Sequence, residues 1–265
     1  MNAIGLAGTQ ASGLLESDNS GSMGKHLHAG KAAQSGILSA LLAKEGFTGA
    51  SAIIDGKEGF ISAMVNGDIK DKKLEIGNFH ILDVYFKKYP VCRHLHSAID
   101  AALDILNKNR IKTEEIQKIL VKTYKIAANH DNYDPKTREA IRQSLPVSLA
   151  IAVKNGNLSL DNLKTDEEIA KISSKIVTEC DENLDESYPY KRSSNVTIQT
   201  GDHSYSERVD LPKGEPENQF TKNELIDKFI ELNSGISLDI LQVVDDLENY
   251  NMKELMTMLN NEFKK

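Results

Sequence analysis

Residues 1 to about 65 are built largely from Gly, Ala and Ser, and this small-residue content constrains the fold more than any other feature of the chain. Ala32, Ala33, Ile37, Ala40 and Leu41 fall on one helical face that stops at Gly46. Side chains this small let helix backbones approach closely, so the spacing predicts tightly packed helices. Around 77–92 the composition turns aromatic and basic. Pro90 should interrupt regular structure there, just before a second helix that carries Ile99, Leu103 and Leu106 and ends near Asn107.

From residue 111 the pattern is mixed. Thr113 and Glu115 open a short helix, after which Ile119, Val121 and Thr123 alternate with Leu120 and lysines as in a strand. Thr165 with Glu168 forms a capping box ahead of Ile169, Ile172 and Ile176 on one helical stripe. The alternating runs Asn195–Thr200 and Tyr205–Leu211, joined through Gly201 and Asp202, predict an antiparallel hairpin. Thr221 with Glu224 is a second capping box, starting a helix with Leu225, Phe229 and Leu232 inward. Helices, then an α+β segment over roughly 84–212, then helices again give an α+β fold class.

A chain of 265 residues, 40% hydrophobic and 27% charged, can bury a real core in one or two modest domains. No apolar run approaches the roughly 20 residues that span a bilayer, and the N-terminus lacks a basic segment followed by a hydrophobic one. The expected location is cytoplasmic, with no membrane partner. Cys92 and Cys180 are far apart and in no metal-ligand spacing, which supports neither a disulfide framework nor a zinc knuckle. A formal net charge of -7 argues against nucleic acid as a partner, because phosphate binding needs a broad cationic surface.

Against that acidic background two basic clusters stand out. Gly24-Lys25-His26-Leu27-His28-Ala29-Gly30-Lys31 sits at a Gly- and Ala-rich helix start, and Phe86-Lys87-Lys88-Tyr89-Pro90-Val91-Cys92-Arg93-His94-Leu95-His96 repeats the theme. Together they hold four of the seven histidines. Such a concentration of positive groups points to a small acidic ligand. Each His-x-His unit also has a metal reading, since residues two apart on a strand face the same way. No Asp, Glu or Cys joins either pair to complete a ligand set, and in a helix positions i and i+2 diverge.

Gly5-Leu6-Ala7-Gly8-Thr9-Gln10-Ala11-Ser12-Gly13-Leu14, Lys25-His26-Leu27-His28-Ala29-Gly30, Gly46-Phe47-Thr48-Gly49, Gly56-x-x-Gly59-Phe60, Lys87-x-Tyr89-Pro90-x-Cys92-Arg93-x-x-His96, Ser144-Leu145-Pro146 and Leu211-Pro212-Lys213-Gly214-Glu215-Pro216-Glu217-Asn218 occur in that order. In this the chain resembles the MmgE/PrpD family over nearly its whole length, except for the last 25 or so residues. Members of that family include 2-methylcitrate dehydratase, cis-aconitate decarboxylase and iminodisuccinate epimerase, which act beside carboxylates without metal or organic cofactor. The resemblance implies an all-helical domain with an inserted smaller α+β lid domain and a site in the cleft between them. Residues 1–83 would then be the C-terminal part of the helical domain, 84–212 the lid, and 213–265 helices returning to the helical domain. The first portion of the helical domain is expected to be absent from this chain.

The resemblance assigns roles residue by residue. Lys25 would contact a substrate carboxylate, and Lys87 would be a second active-site lysine at the lid boundary. His28 and His96 occupy positions where the family carries histidine, and imidazole exchanges protons near neutral pH. Lys25, Lys87 and His28 are thus the catalytic candidates; His96, Arg93, Cys92 and Tyr133 are the substrate-binding ones. Structural readings stay open beside these. Either lysine can simply cover apolar neighbours, either histidine can cap a helix, and Arg93 can clamp a carboxylate or satisfy a helix C-terminus. Cys92 is an activated thiol beside Lys88 and Arg93 or an inert buried one. Cysteine at that position also counts against a decarboxylase, because decarboxylase-type relatives carry histidine there. Tyr133 either reaches the substrate or packs the turn before Pro135.

The leading expectation is a lyase or isomerase that moves a proton next to a carboxylate of a small di- or tricarboxylate, with dehydration of a citrate-like acid foremost. The alternative is a non-catalytic remnant, or one subunit of a split enzyme. Because helices partnering 4–16 and 31–45 would be missing, these faces should be exposed, and self-association or a complementing N-terminal chain is expected.

Overall fold

In the computed structural model, which describes residues 1–14, 16–64, 77, 79–233 and 235–262, the chain divides into two compact units, Met1–Glu217 and Asn218–Lys265. Leu15, within the small-residue face predicted over 4–16, and residues 65–76 of the predicted first domain lie outside the described residues. The fold class is α+β. Among the described residues no helix is long and apolar enough to cross a membrane.

The first unit opens with α1 (Asn2–Thr9), the short α2 (Glu16–Asn19), the long α3 (Gly24–Lys44) and α4 (Phe60–Met64). α1 packs along α3, where Gln10 Nε2 donates to Ser39 Oγ at 2.9 Å and Ser39 Oγ donates to the Ser35 carbonyl at 2.7 Å. α3 stops close to the predicted place: Gly46 takes φ +91°, and the amides of Glu45, Gly46 and Phe47 turn back onto the carbonyls of Leu41, Ala43 and Leu42. Its buried face is not the predicted one. Ala32, Ala33, Ile37, Ala40 and Leu41 are exposed, and Ser35 and Ser39 are the residues buried. Back-bonding within the helix satisfies the Ser39 hydroxyl, so the short α1 can lie on a serine face while the aliphatic stripe points outward.

The α+β part follows: α5 (His96–Asn109), β1 (Ile116–Thr123), α6 (Lys125–Ala128), α7 (Arg138–Ile141), α8 (Leu145–Asn155), α9 (Glu167–Ser173), β2 (Ile176–Cys180), α10 (Glu182–Asp185), β3 (Ser194–Thr200) and β4 (His203–Val209). The sheet order is β2-β1-β3-β4, with β2 parallel to β1 and the other pairs antiparallel. Ile119, Val121, Val196 and Ile198 alternate inward and are wholly buried, the period-two pattern of a sheet with one face on a core. α5 lies on β3 and β4, while α8 packs on α5, α9 and β2. The predicted β3–β4 hairpin is present, as is the 3-10 turn at Thr113–Glu115.

Two local readings are corrected. Asp166 rather than Thr165 caps α9, its carboxylate accepting from the Ile169 amide at 2.8 Å. Ile176 leaves the helical stripe and opens β2, paired with Ile119. An isoleucine seven positions after Ile169 fits either period, and β-branching favours the strand once a parallel neighbour is available. The crossover from β1 to β2 runs through α8 and α9, as parallel pairing requires.

In the second unit α11 (Lys222–Leu232), α12 (Asp239–Asp245) and α13 (Met252–Glu262) follow in order. The Thr221–Glu224 capping box forms as predicted, with the Glu224 amide donating to Thr221 Oγ1 at 3.3 Å and the Thr221 amide to Glu224 Oε2 at 2.7 Å. Leu225 and Phe229 are only half-buried and Leu232 is exposed, contrary to the predicted inward face. So small a unit encloses little interior: Val243 is its buried hydrophobic residue among those described.

Candidate active site

A cavity of about 240 Å³ lies between the start of α3 and the segment that leads into α5. Ser17, Asp18, Gly21, Ser22, Lys25 and His26 form one wall, Lys87, Pro90, Val91 and Cys92 another, and Glu139, Arg142 and Gln143 the third. The two basic clusters, some 60 residues apart in the chain, therefore converge on one hollow.

The walls are held by backbone and cap contacts. Thr137 caps α7 by accepting from the Ala140 amide at 3.0 Å, and its hydroxyl donates to the Gly21 carbonyl at 2.7 Å. Gly21 has φ +63°, and a Cβ there would stand 2.8 Å from Thr137 Oγ1, so this crossing accepts only glycine. The Cys92 amide donates to the Arg142 carbonyl at 2.8 Å, and His26 Nε2 is 2.8 Å from Glu139 Oε2.

The cations are not equivalent. Lys25 is paired with Asp18 at 2.8 Å, and Arg142 lies 3.7 Å from Glu139. For Lys87, no carboxylate lies within ion-pair distance among the described residues. It keeps contact with solvent, yet loss of water on its cavity side, followed by the positive Lys25, Arg93 and Arg142, lowers its pKa against the opposing pull of Cys92. Lys25, Lys87 and Arg142 against Asp18 and Glu139 leave the hollow with a surplus of positive charge.

Cys92, half-buried on the wall, has its Sγ 3.7 Å from His130 Nε2. His130 Nδ1 in turn lies 2.9 Å from the Gln143 carbonyl, which fixes the ring and turns Nε2 toward sulfur. Burial pushes the Cys92 thiol up, but the His130 hydrogen bond and charge, the His94 backbone and Lys87 together bring it below its ordinary value. His130 shifts the other way: burial lowers it, and Cys92 and the Gln143 carbonyl raise it further than that. Behind this pair His94 stacks on His130 at 5.8 Å, with its Nδ1 2.6 Å from Tyr124 Oη. Burial foremost, then the neighbouring His130, Arg192, Lys25 and Lys87, lower His94 to about 4, so it is neutral at pH 7.

Of the residues singled out in the sequence, Lys25, Lys87 and Cys92 meet in this cavity. His28 does not: it lines a separate hollow of about 540 Å³ among α1, α3 and α4. Arg93 is buried and points to Glu215, at 2.7 Å, with the carbonyls of Phe86 and Lys213 also accepting from it. His96 is fully buried in the first turn of α5, with Nδ1 3.3 Å from Arg93 and its ring tilted on Tyr89. Tyr133 donates to the Ile176 carbonyl at 2.9 Å, beside β2. Within each His-x-His unit the two rings diverge, His26 and His28 into different hollows and His94 and His96 onto different neighbours. Asp18, His130, Glu139 and Arg142 had no sequence signal. Arg142 stands two residues before the Ser144-Leu145-Pro146 motif, which was legible, so its neighbourhood could have been suspected.

Cations and a thiol–imidazole pair stand around one small hollow, groups of the kinds that attract anions and exchange protons. Comparison with known proteins agrees with the order of motifs. The MmgE/PrpD C-terminal domain profile matches residues 89–240, more than half of the chain, and the MmgE/PrpD N-terminal domain profile matches residues 1–72. The chain belongs to the MmgE/PrpD family. Similar curated proteins include the cis-aconitate decarboxylase of Aspergillus terreus and that of its strain NIH 2624 / FGSC A1156, each 26% identical over 239 residues. The match covers 80% of this chain and 48% of each relative, so the chain spans about half their length.

Proposed function

We propose that the protein is a lyase or isomerase that moves a proton beside a carboxylate of a small di- or tricarboxylate. The observation that carries this reading is the meeting of Lys25 and Lys87 on one cavity whose cations exceed its carboxylates. Removing a proton next to a carboxylate adds charge to a substrate that is already an anion, and a site for it needs cations aimed at the developing enolate. In this reading Lys87, without a carboxylate partner among the described residues, takes one substrate carboxylate, and Lys25 exchanges Asp18 for another. Family membership and the named relatives favour lyase chemistry: loss of water follows from an anion stabilised in this way, and loss of carbon dioxide generates such an anion, which a proton then quenches. By the family resemblance, in which decarboxylase-type members carry histidine where this chain has Cys92, dehydration of a citrate-like acid is the reaction favoured here, although the similar curated proteins are decarboxylases.

Proton transfer is tested by incubating the purified chain with citrate in deuterium oxide and following substrate C–H signals and new alkene signals by nuclear magnetic resonance. Exchange or elimination is expected, falling by about 10²–10⁴-fold in Lys87→Ala. A rate unchanged in that variant would refute the assignment of Lys87.

A second reading is favoured by the outward Ile37, Leu38 and Leu41 of α3. An aliphatic stripe of this kind suits coverage by a second copy of the chain or by a complementing helical chain, and activity would then appear only in the assembly.

A further inference from the structure

The reading above leaves one cluster at the cavity without a task, the Cys92–His130 pair. Its geometry is that of a nucleophile with its base: sulfur 3.7 Å from Nε2, and the far ring nitrogen anchored on the Gln143 carbonyl at 2.9 Å. Cys92 lines the hollow that Lys25, Lys87 and Arg142 make positive, and His130 stands behind it. The second thiol, Cys180, is exposed on β2 and lines no part of that hollow, which makes it an internal control.

We propose that Cys92 and His130 capture unsaturated carboxylates covalently at the wall of this cavity. The inference rests on the proposed function only for the ligand class, since elimination beside a carboxylate yields an alkene conjugated to that carboxylate. The cations hold the acid and draw electron density from the double bond, leaving its β-carbon electron-poor. The thiol proton passes to His130 Nε2. Sulfur then forms a bond to the β-carbon as the π bond breaks, the electron pair moves to the α-carbon, and the imidazolium returns its proton there. The product is a thioether with no change in overall oxidation state and no co-reactant. Its occupant blocks the hollow, so an accumulating unsaturated acid would switch the site off.

The groups facing this pair set its pH dependence. Lys87, Arg93 and the His94 backbone lie on the segment of Cys92, His94 stacks on His130, the neutral Tyr124 hydroxyl lies beyond His94, Lys25 approaches from α3, and Arg142 and Glu139 approach from α7 and its end. All but Glu139 are cationic, neutral or amide donors, and they favour the thiolate.

The test treats the full chain with fumarate and, separately, with neutral N-ethylmaleimide, and maps both cysteines by mass spectrometry across a pH series. Fumarate is expected to add to Cys92 at least about tenfold faster than to Cys180 at pH 7, with a labelling midpoint at lower pH for Cys92. His130→Gln should move that midpoint upward. Lys87→Gln, at the exposed rim and safe for folding, should remove the preference for fumarate while N-ethylmaleimide still labels Cys92. Equal fumarate rates at the two thiols, or identical pH midpoints, would overturn the proposal. If citrate still binds reversibly in that case, the capture fails and the proposed function stands; if citrate binding is absent as well, both fall.

Discussion

Lys87 and Arg93 are six residues apart, carry the same charge and belong to the same motif, yet their surroundings give them opposite tasks. Arg93 is 4% exposed and its guanidinium meets a Glu215 carboxylate that is 6% exposed, at 2.7 Å, with Arg192 joining the same carboxylate at 3.3 Å. Removing one partner of such a buried pair leaves the other charge uncompensated. Arg93→Ala should therefore cost about 3–5 kcal/mol, read as a lowered denaturation midpoint in urea. A stability unchanged within about 0.5 kcal/mol would show that the pair is not the anchor described here. His96, fully buried against Arg93 and Tyr89, belongs to the same anchor, and the family-like Arg93-x-x-His96 spacing fits the 3-10 turn Arg93–Leu95 that leads into α5, since side chains three apart eclipse in such a turn.

At the scale of elements, the cavity depends on a helix of four residues. α7 is too short to be stable by itself, and Thr137 both caps it and ties it to Gly21 ahead of α3. Thr137→Ala should cost about 1 kcal/mol through the lost cap. It should also loosen the wall that carries Glu139 and Arg142, seen as faster amide hydrogen exchange in 138–143 than in α8; exchange unchanged there would contradict the tie. This also marks what the sequence made legible. α5, β1, the β3–β4 hairpin and the cap of α11 were readable because each has its own periodicity or capping chemistry. β2 was hidden because Ile176 fits a helical stripe as well as a strand. The burial of α3 by Ser35 and Ser39 was hidden because no periodicity rule assigns a packing face to serine. In the site, Lys25, Lys87 and Cys92 could be named from motifs, whereas His130 and Arg142 come from segments on either side of α7 whose positions are fixed only by long-range contacts.

For the molecule as a whole, the chain carries a net charge of -7 while its candidate cavity has excess positive charge. Under the proposed function, this contrast draws an anion toward the cavity, and low-dielectric walls strengthen the attraction. The central claim is that Lys25 and Lys87 jointly hold a multiply charged organic acid. Calorimetric titration with citrate, with acetate as a singly charged control, tests it most directly. The account predicts that citrate binds and acetate does not, and that Lys87→Ala weakens citrate binding by roughly 1.5–3 kcal/mol with an unchanged melting temperature. Citrate affinity equal in the wild type and in Lys87→Ala, or no citrate binding at all, would contradict it.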